Sequence, residues 1–385
     1  MPARRLVLFF DGTWSKPESN TNVERLRLLV ASHDTSGVEQ VVNYVAGVGV
    51  KAGLTHLLGG AFGLGLADNV RDGYRWLCNN WRAGDELYLF GFSRGAYTAR
   101  SVGGMICKCG LLRGDGVTPV SKRDVAGAYD FYRDVTHKPG DPVAVAYRAQ
   151  HSVAIDIHFI GVWDTVGSLG IPDMASWFPY ARARYQFHDT ELSRIVKYAY
   201  QALALDEHRA DFAPTLWTRN PFTLQPGESL TSKKAGQIEI EQRWFIGAHG
   251  DVGGGNEADG AGRKPDPLPD LPLAWLQRKA MDCGLACNKT FAAPADAWTG
   301  VPRDSYGHFM FGLYKHFKAP IDRLLGATIN EKIDASVWQR WRADASYRSP
   351  SVVQALAHAA ARIGLAEVAV PVPPAAPSPT ASAVV

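Results

Sequence analysis

The chain has 385 residues, 46% of them hydrophobic, and its 41 basic and 38 acidic residues leave a net charge of +3. That composition supports a sizeable core, and so small a charge excess offers no electrostatic basis for binding nucleic acid. Five cysteines cannot complete a disulfide framework, and Cys283 and Cys287 lack histidines at zinc spacing, so reduced thiols in a reducing, cytoplasmic setting are expected.

In chain order, the first apolar run is RLVLFF (residues 5–10). It is about half the length that a secretory leader needs, and Asp11 and Trp14 end it, so it reads as a first core strand. QVVNYVAGV (40–48) reads as a second strand. The glycine-rich stretch 52–67 reads as a loop entering a helix, with transient contact to a membrane surface as an added expectation. No run reaches the roughly 18 apolar residues of a membrane span. LADNVRDGYRWLCNNW (66–81) is expected to be helical, ELYLFGF (86–92) a buried strand, and SRGAYTARSVGGMIC (93–107) a helix. VAIDIHFIGVW (153–163) and IEIEQRWFIGAH (238–249) read as further strands, with ELSRIVKYAYQALALD (191–206) between them as a helix. Strands alternating with helices predict an α/β protein of hydrolase-like architecture, with a mostly parallel central sheet and helices on both faces. Residues 1–365 are expected to form one catalytic domain, with cap segments at 110–150 and 256–350. Residues 366–385 are read as a disordered Pro/Ala-rich tail.

Ser93 falls at the junction between the strand 86–92 and the helix after it, within Gly91-Phe92-Ser93-Arg94-Gly95. This G-x-S-x-G pattern is that of a nucleophile elbow, where side chains at 91 and 95 would collide with nearby backbone. A serine hydroxyl needs a base to take its proton and a carboxylate to orient that base. His249 follows a strand and opens a glycine-dense loop, the position expected of a base beyond the carboxyl end of an open sheet. His208 is the reserve. Asp164 ends its own strand between Ser93 and His249 in the chain and is the candidate acid, with Asp206 and Asp251 as alternatives. Oxyanion donors are expected from the N–H of Arg94 and from that of Gly12, Thr13 or Trp14, with Asp11 holding the latter loop. This chemistry needs no metal and no cofactor.

LVLFFDGTW (6–14), GFSRGAYTAR (91–100), GVWDTVGSLG (161–170), ALALDEHR (202–209) and WFIGAHGDVGGG (244–255) together resemble the blocks of an uncharacterised-domain family of α/β hydrolases. That family includes the type VI secretion lipase effectors of the first class, which are phospholipases. The resemblance runs from about residue 5 to 285 and implies a triad of Ser93, Asp164 and His249 acting on a lipid or other ester. It also implies type VI export, with a secretion-apparatus or immunity protein as partner. Aromatic stretches at 174–187 and 306–317, with Arg182, Arg184, Lys315 and Lys318, could hold an acyl chain beside a phosphate. The competing readings are a soluble carboxylesterase, a metal-dependent hydrolase built on Asp11, His249 and Asp251, and a non-catalytic binding protein on a hydrolase scaffold. A phosphatase of the haloacid-dehalogenase type is excluded, because Phe9 stands where the aspartate nucleophile would be.

Overall fold

The computed structural model describes residues 3–12, 15, 17–47, 61–114, 117–167, 191–219, 221, 224, 227–255, 266–326 and 328–358. Seven strands form one sheet: β1 (Arg4–Phe10), β2 (Glu39–Val45), β3 (Glu86–Phe92), β6 (Ile157–Trp163), β7 (Val196–Ala204), β8 (Glu239–Phe245) and β9 (Glu331–Ile333). Their order is β2-β1-β3-β6-β7-β8-β9, and every neighbouring pair is parallel. The protein is therefore an α/β fold. A separate antiparallel pair joins β4 (Leu111–Leu112) to β5 (Ser152–Val153).

The apolar runs form central strands because both of their faces are covered. In β1, Leu6, Leu8 and Phe10 enter one core while Val7 and Phe9 enter the other, so a period of two divides an unbroken hydrophobic run. The first core is closed by α2 (Ala61–Asn80) and α3 (Arg94–Cys109), through Val70, Tyr74, Leu77, Ala99 and Val102. The second is closed by α1 (Asn22–Leu29) and a helix over Asp270–Asp282. Each fully buried leucine or phenylalanine in these layers contributes about 1.5–3 kcal/mol of transfer free energy.

The expected helix at 191–206 is instead the strand β7. Tyr198, Tyr200, Ala202 and Ala204 face the second core, while Ala199 packs into the first and Leu203 into a third cluster at the β8–β9 edge. Covered on both sides, the segment loses the polar alternation that marks a one-sided strand, and its alanines and leucines favour a helical reading. The run 153–163 also divides: only Ile157–Trp163 enters the main sheet.

Within 110–150, α4 (Lys122–Arg133) and α5 (Pro142–His151) lie outside α2 and α3, with Val125 and Ala128 packed into the first core. Within 256–350, the chain supplies the Asp270–Asp282 helix and then β9 at the sheet edge. Short helical turns between residues 305 and 316 lie above the carboxyl ends of the strands beside His249. Residues 52–60, 174–187 and 359–385 lie outside the described residues. All five cysteines are free, and among the described residues no helix is long and apolar enough to cross a membrane.

Candidate active site

The chain leaves β1 toward β2 on one side, while β3 lies on the other. This reversal opens a crevice at the carboxyl ends of the strands, where open α/β sheets bind ligands. Ser93 sits there, between the end of β3 and the start of α3, with φ 57° and ψ −120°. Such a conformation is strained for a residue with a side chain and persists only where its surroundings impose it. Here they do. A Cβ at Gly91 would overlap the carbonyl of Gly95, and one at Gly95 would overlap the carbonyl oxygens of Phe10 and Asp11. The turn at Ser93 is thus packed directly against the end of β1.

Asp164 follows β6 immediately, is fully buried, and has φ 36°. Its N–H donates to the Ala202 carbonyl at 2.7 Å, which fixes it to the end of β7. His249 lies beyond β8 and opens the short helix α6 (His249–Gly253). Its Nδ1 is 2.6 Å from Asp164 Oδ2, and its Nε2 is 2.8 Å from Ser93 Oγ. An ionised carboxylate can only accept, so Nδ1 carries the proton. Nε2 is then left to accept from the serine hydroxyl. The ring lies between Phe92 and Phe212, with centroids at 4.7 and 5.1 Å.

These surroundings set the charges. Burial lowers the His249 pKa below its ordinary value, against the hydrogen bond and charge of Asp164, while Arg209 lowers it further and Glu207 raises it. Burial would raise the Asp164 pKa, but the charge of Arg323 and the bond to His249 carry it well below the usual carboxylate range. The arrangement can pass a serine proton to a neutral imidazole whose orientation is fixed from behind. Arg94 supplies the first N–H of α3, at the positive end of the helix beside Ser93.

The other residues singled out in the sequence have different surroundings. Gly12 N–H donates to Asp11 Oδ1 at 2.6 Å, so it is committed to its neighbour rather than offered to a ligand. Thr13 and Trp14 lie outside the described residues. Asp11 also accepts from Thr21 Oγ1 and Tyr44 OH, both at 2.7 Å, and so ties the β1 loop to α1 and β2. Asp206 accepts from Gly247 N (2.8 Å) and Tyr347 OH (2.9 Å). Asp251 Oδ2 accepts from Ala248 N and Arg303 N, both at 2.9 Å, and burial pushes its carboxyl up to about 6. The two carboxylates therefore brace the turn leading into His249, through the N–H groups of Gly247 and Ala248. His208 turns Nδ1 to the Ile321 carbonyl at 3.1 Å rather than to Ser93. Asp11 and Asp251 are thus held by separate partners, and no group of three His, Cys, Asp or Glu among the described residues is arranged to hold a metal ion.

Two participants were not singled out in the sequence. Glu207 is fully buried and receives Arg209 Nε and Nη2 (2.8 Å each), Ser305 Oγ (2.9 Å) and His249 N (3.2 Å). Burial works against its charge, but Arg209 holds its carboxyl down at about 2. It lies inside the block ALALDEHR, which was the available signal. Arg323 grips Asp164 and has no motif around it. Beside His249 opens a cleft of about 1070 Å³ lined by Phe92, Arg209, Phe212, Arg303 and Phe309. A second cavity of about 690 Å³ lies against α3, α4 and α5 and involves none of the candidate residues.

A family model described as the catalytic domain of Tle1-like type VI secretion phospholipase effectors matches residues 4–279. An uncharacterised protein of Saccharomyces cerevisiae is 30% identical over an alignment of 244 residues that covers 57% of this chain and 33% of that protein. The solved structure of the Tle1 effector bound to the VgrG spike aligns with 68% of this chain and 53% of its own, at 18% identity and a TM-score of 0.38. An uncharacterised protein from Pseudomonas aeruginosa aligns over 82% and 51% respectively, at 17% identity and a TM-score of 0.39. The chain spans about a third of the yeast relative and about half of each solved structure.

Proposed function

This chain belongs to the Tle1-like phospholipase effector family, and from that premise we propose that it is a serine esterase acting on glycerophospholipids. The observation that carries the reading is the unbroken relay from Asp164 through His249 to Ser93, with bonds of 2.6 and 2.8 Å, beside a cleft that His249 lines. Ser93 Oγ attacks the ester carbonyl carbon as its proton passes to His249 Nε2. The resulting oxyanion is met by the Arg94 N–H at the start of α3. Collapse breaks the bond to the alcohol oxygen, which leaves with the proton from His249 as a lysolipid. Water, deprotonated by the same imidazole, then attacks the acyl-serine and releases a fatty acid.

The lipid assignment is supported by the cleft's chemistry. Phe92, Phe212 and Phe309 offer apolar surface, Arg303 offers a half-exposed cation, and the chain after Phe309 exposes Leu313, Lys315 and Phe317. Family membership makes a component of the secretion apparatus the expected protein partner. Phospholipid vesicles incubated with wild type and Ser93→Ala, then analysed by mass spectrometry, test the substrate. Fatty acid and lysolipid appearing only with wild type support the proposal. Intact phospholipid alongside rapid cleavage of short soluble esters would reduce the protein to a carboxylesterase. Near-normal hydrolysis by Ser93→Ala would remove the serine mechanism.

A further inference from the structure

Arg323 lies 159 residues from Asp164 in the chain, and its side chain is wholly buried against the carboxylate. Nη1 donates to Oδ1 at 2.6 Å and Nη2 to Oδ2 at 3.0 Å, forming a two-pronged grip. The same two nitrogens donate to the carbonyls of Ala204 and Phe212, each at 2.7 Å. The plane of the guanidinium is therefore fixed by the end of β7 and the turn after it. Its Nε is buried without a hydrogen-bond partner among the described residues, so the group serves Asp164 at some cost to itself.

We propose that Arg323 is a positioning residue of this site, clamping both oxygens of Asp164 and limiting how strongly that carboxylate stabilises a protonated His249. Planar pairing locks the rotation of the carboxylate, and with it the direction in which Nδ1 is held. The charge has a second effect. When His249 takes the serine proton, the cluster of Asp164, Arg323 and imidazolium carries a net positive charge rather than none. The base is thereby weaker, but it stays neutral and usable in mildly acidic medium. The other titratable groups around the imidazole are Glu207 and Arg209 after β7, Asp251 on α6, and Arg303 and His308 along the cleft. None of these grips Asp164.

This inference rests on the proposed roles of Ser93 and His249, and Ser93→Ala run in parallel separates the two. Activity retained by Ser93→Ala defeats the proposed function, whereas the clamp is judged from the Arg323 variants alone. In Arg323→Gln the acidic limb of the kcat–pH profile is expected to move up by about one unit. The NMR titration of the His249 Nδ1 proton should move with it. Arg323→Lys retains the charge without the fork, so its limb should stay within a few tenths of a unit of wild type while kcat falls about tenfold. A folded Arg323→Gln with an unmoved limb and titration overturns the electrostatic role. If Arg323→Gln does not fold, Arg323→Lys decides the matter, and wild-type kcat in that variant overturns the clamp.

Discussion

Replacing Asp164 by asparagine exchanges one oxygen for an amide nitrogen in a position ringed by donors. Oδ1 receives Arg323 Nη1 at 2.6 Å and Ala204 N at 3.0 Å, while Oδ2 receives His249 Nδ1 at 2.6 Å and Arg323 Nη2 at 3.0 Å. An NH₂ at the first site would oppose two donors that cannot change. At the second it opposes Nη2, but His249 can adapt by moving its proton from Nδ1 to Nε2. The amide will therefore face the imidazole and select the tautomer whose Nε2 cannot accept from Ser93. The loss should be about 10⁴ in kcat with little change in KM, or roughly 5 kcal/mol of transition-state stabilisation. The variant also leaves the buried Arg323 cation without its counter-charge, which should lower stability by about 3–5 kcal/mol. Steady-state kinetics on vesicles and on a short ester, with thermal melts of both proteins, measure the two effects. A folded Asp164→Asn that keeps kcat within about tenfold of wild type at pH 8 would refute the reasoning.

Asp206→Asn should be mild, with kcat falling less than about tenfold, because an amide oxygen can still accept from Gly247 N and Tyr347 OH; a loss near 10⁴ in the same kinetics would move the acid assignment to Asp206. Gly95→Ala should abolish the elbow, since its methyl would meet the Phe10 and Asp11 carbonyls, and should cost about 3 kcal/mol or more of stability; a melt indistinguishable from wild type would contradict the close approach. Activity should rise with pH as His249 loses its proton, with the midpoint below about 6.5 because burial favours the neutral ring. A kcat/KM–pH profile with its midpoint well above that value would show the imidazolium to be favoured instead.

Much of the fold is legible locally. RLVLFF, ELYLFGF and the strand before Asp164 are apolar runs bounded by polar or small residues, and burial on both sheet faces is what such runs need. The turn at Ser93 is legible for a related reason: two glycines flanking a serine at a strand–helix junction mark a backbone turn that side chains would obstruct. Asp164 and His249 could be selected because each ends a strand, and parallel register carries all such ends to one edge. The strand β7 was illegible because its face-by-face pattern disappears when both sides are covered. Asp11 holding its loop was legible, but which of the loop's N–H groups it would take was not, and it takes that of Gly12. Glu207 was within a recognised block, but its convergence on Arg209, Ser305 and the His249 backbone exists only once three loops meet. Arg323 lies furthest from sequence reading. Its partner is 159 residues away, and only the folded sheet brings an isolated loop arginine against a buried carboxylate whose charge it must balance.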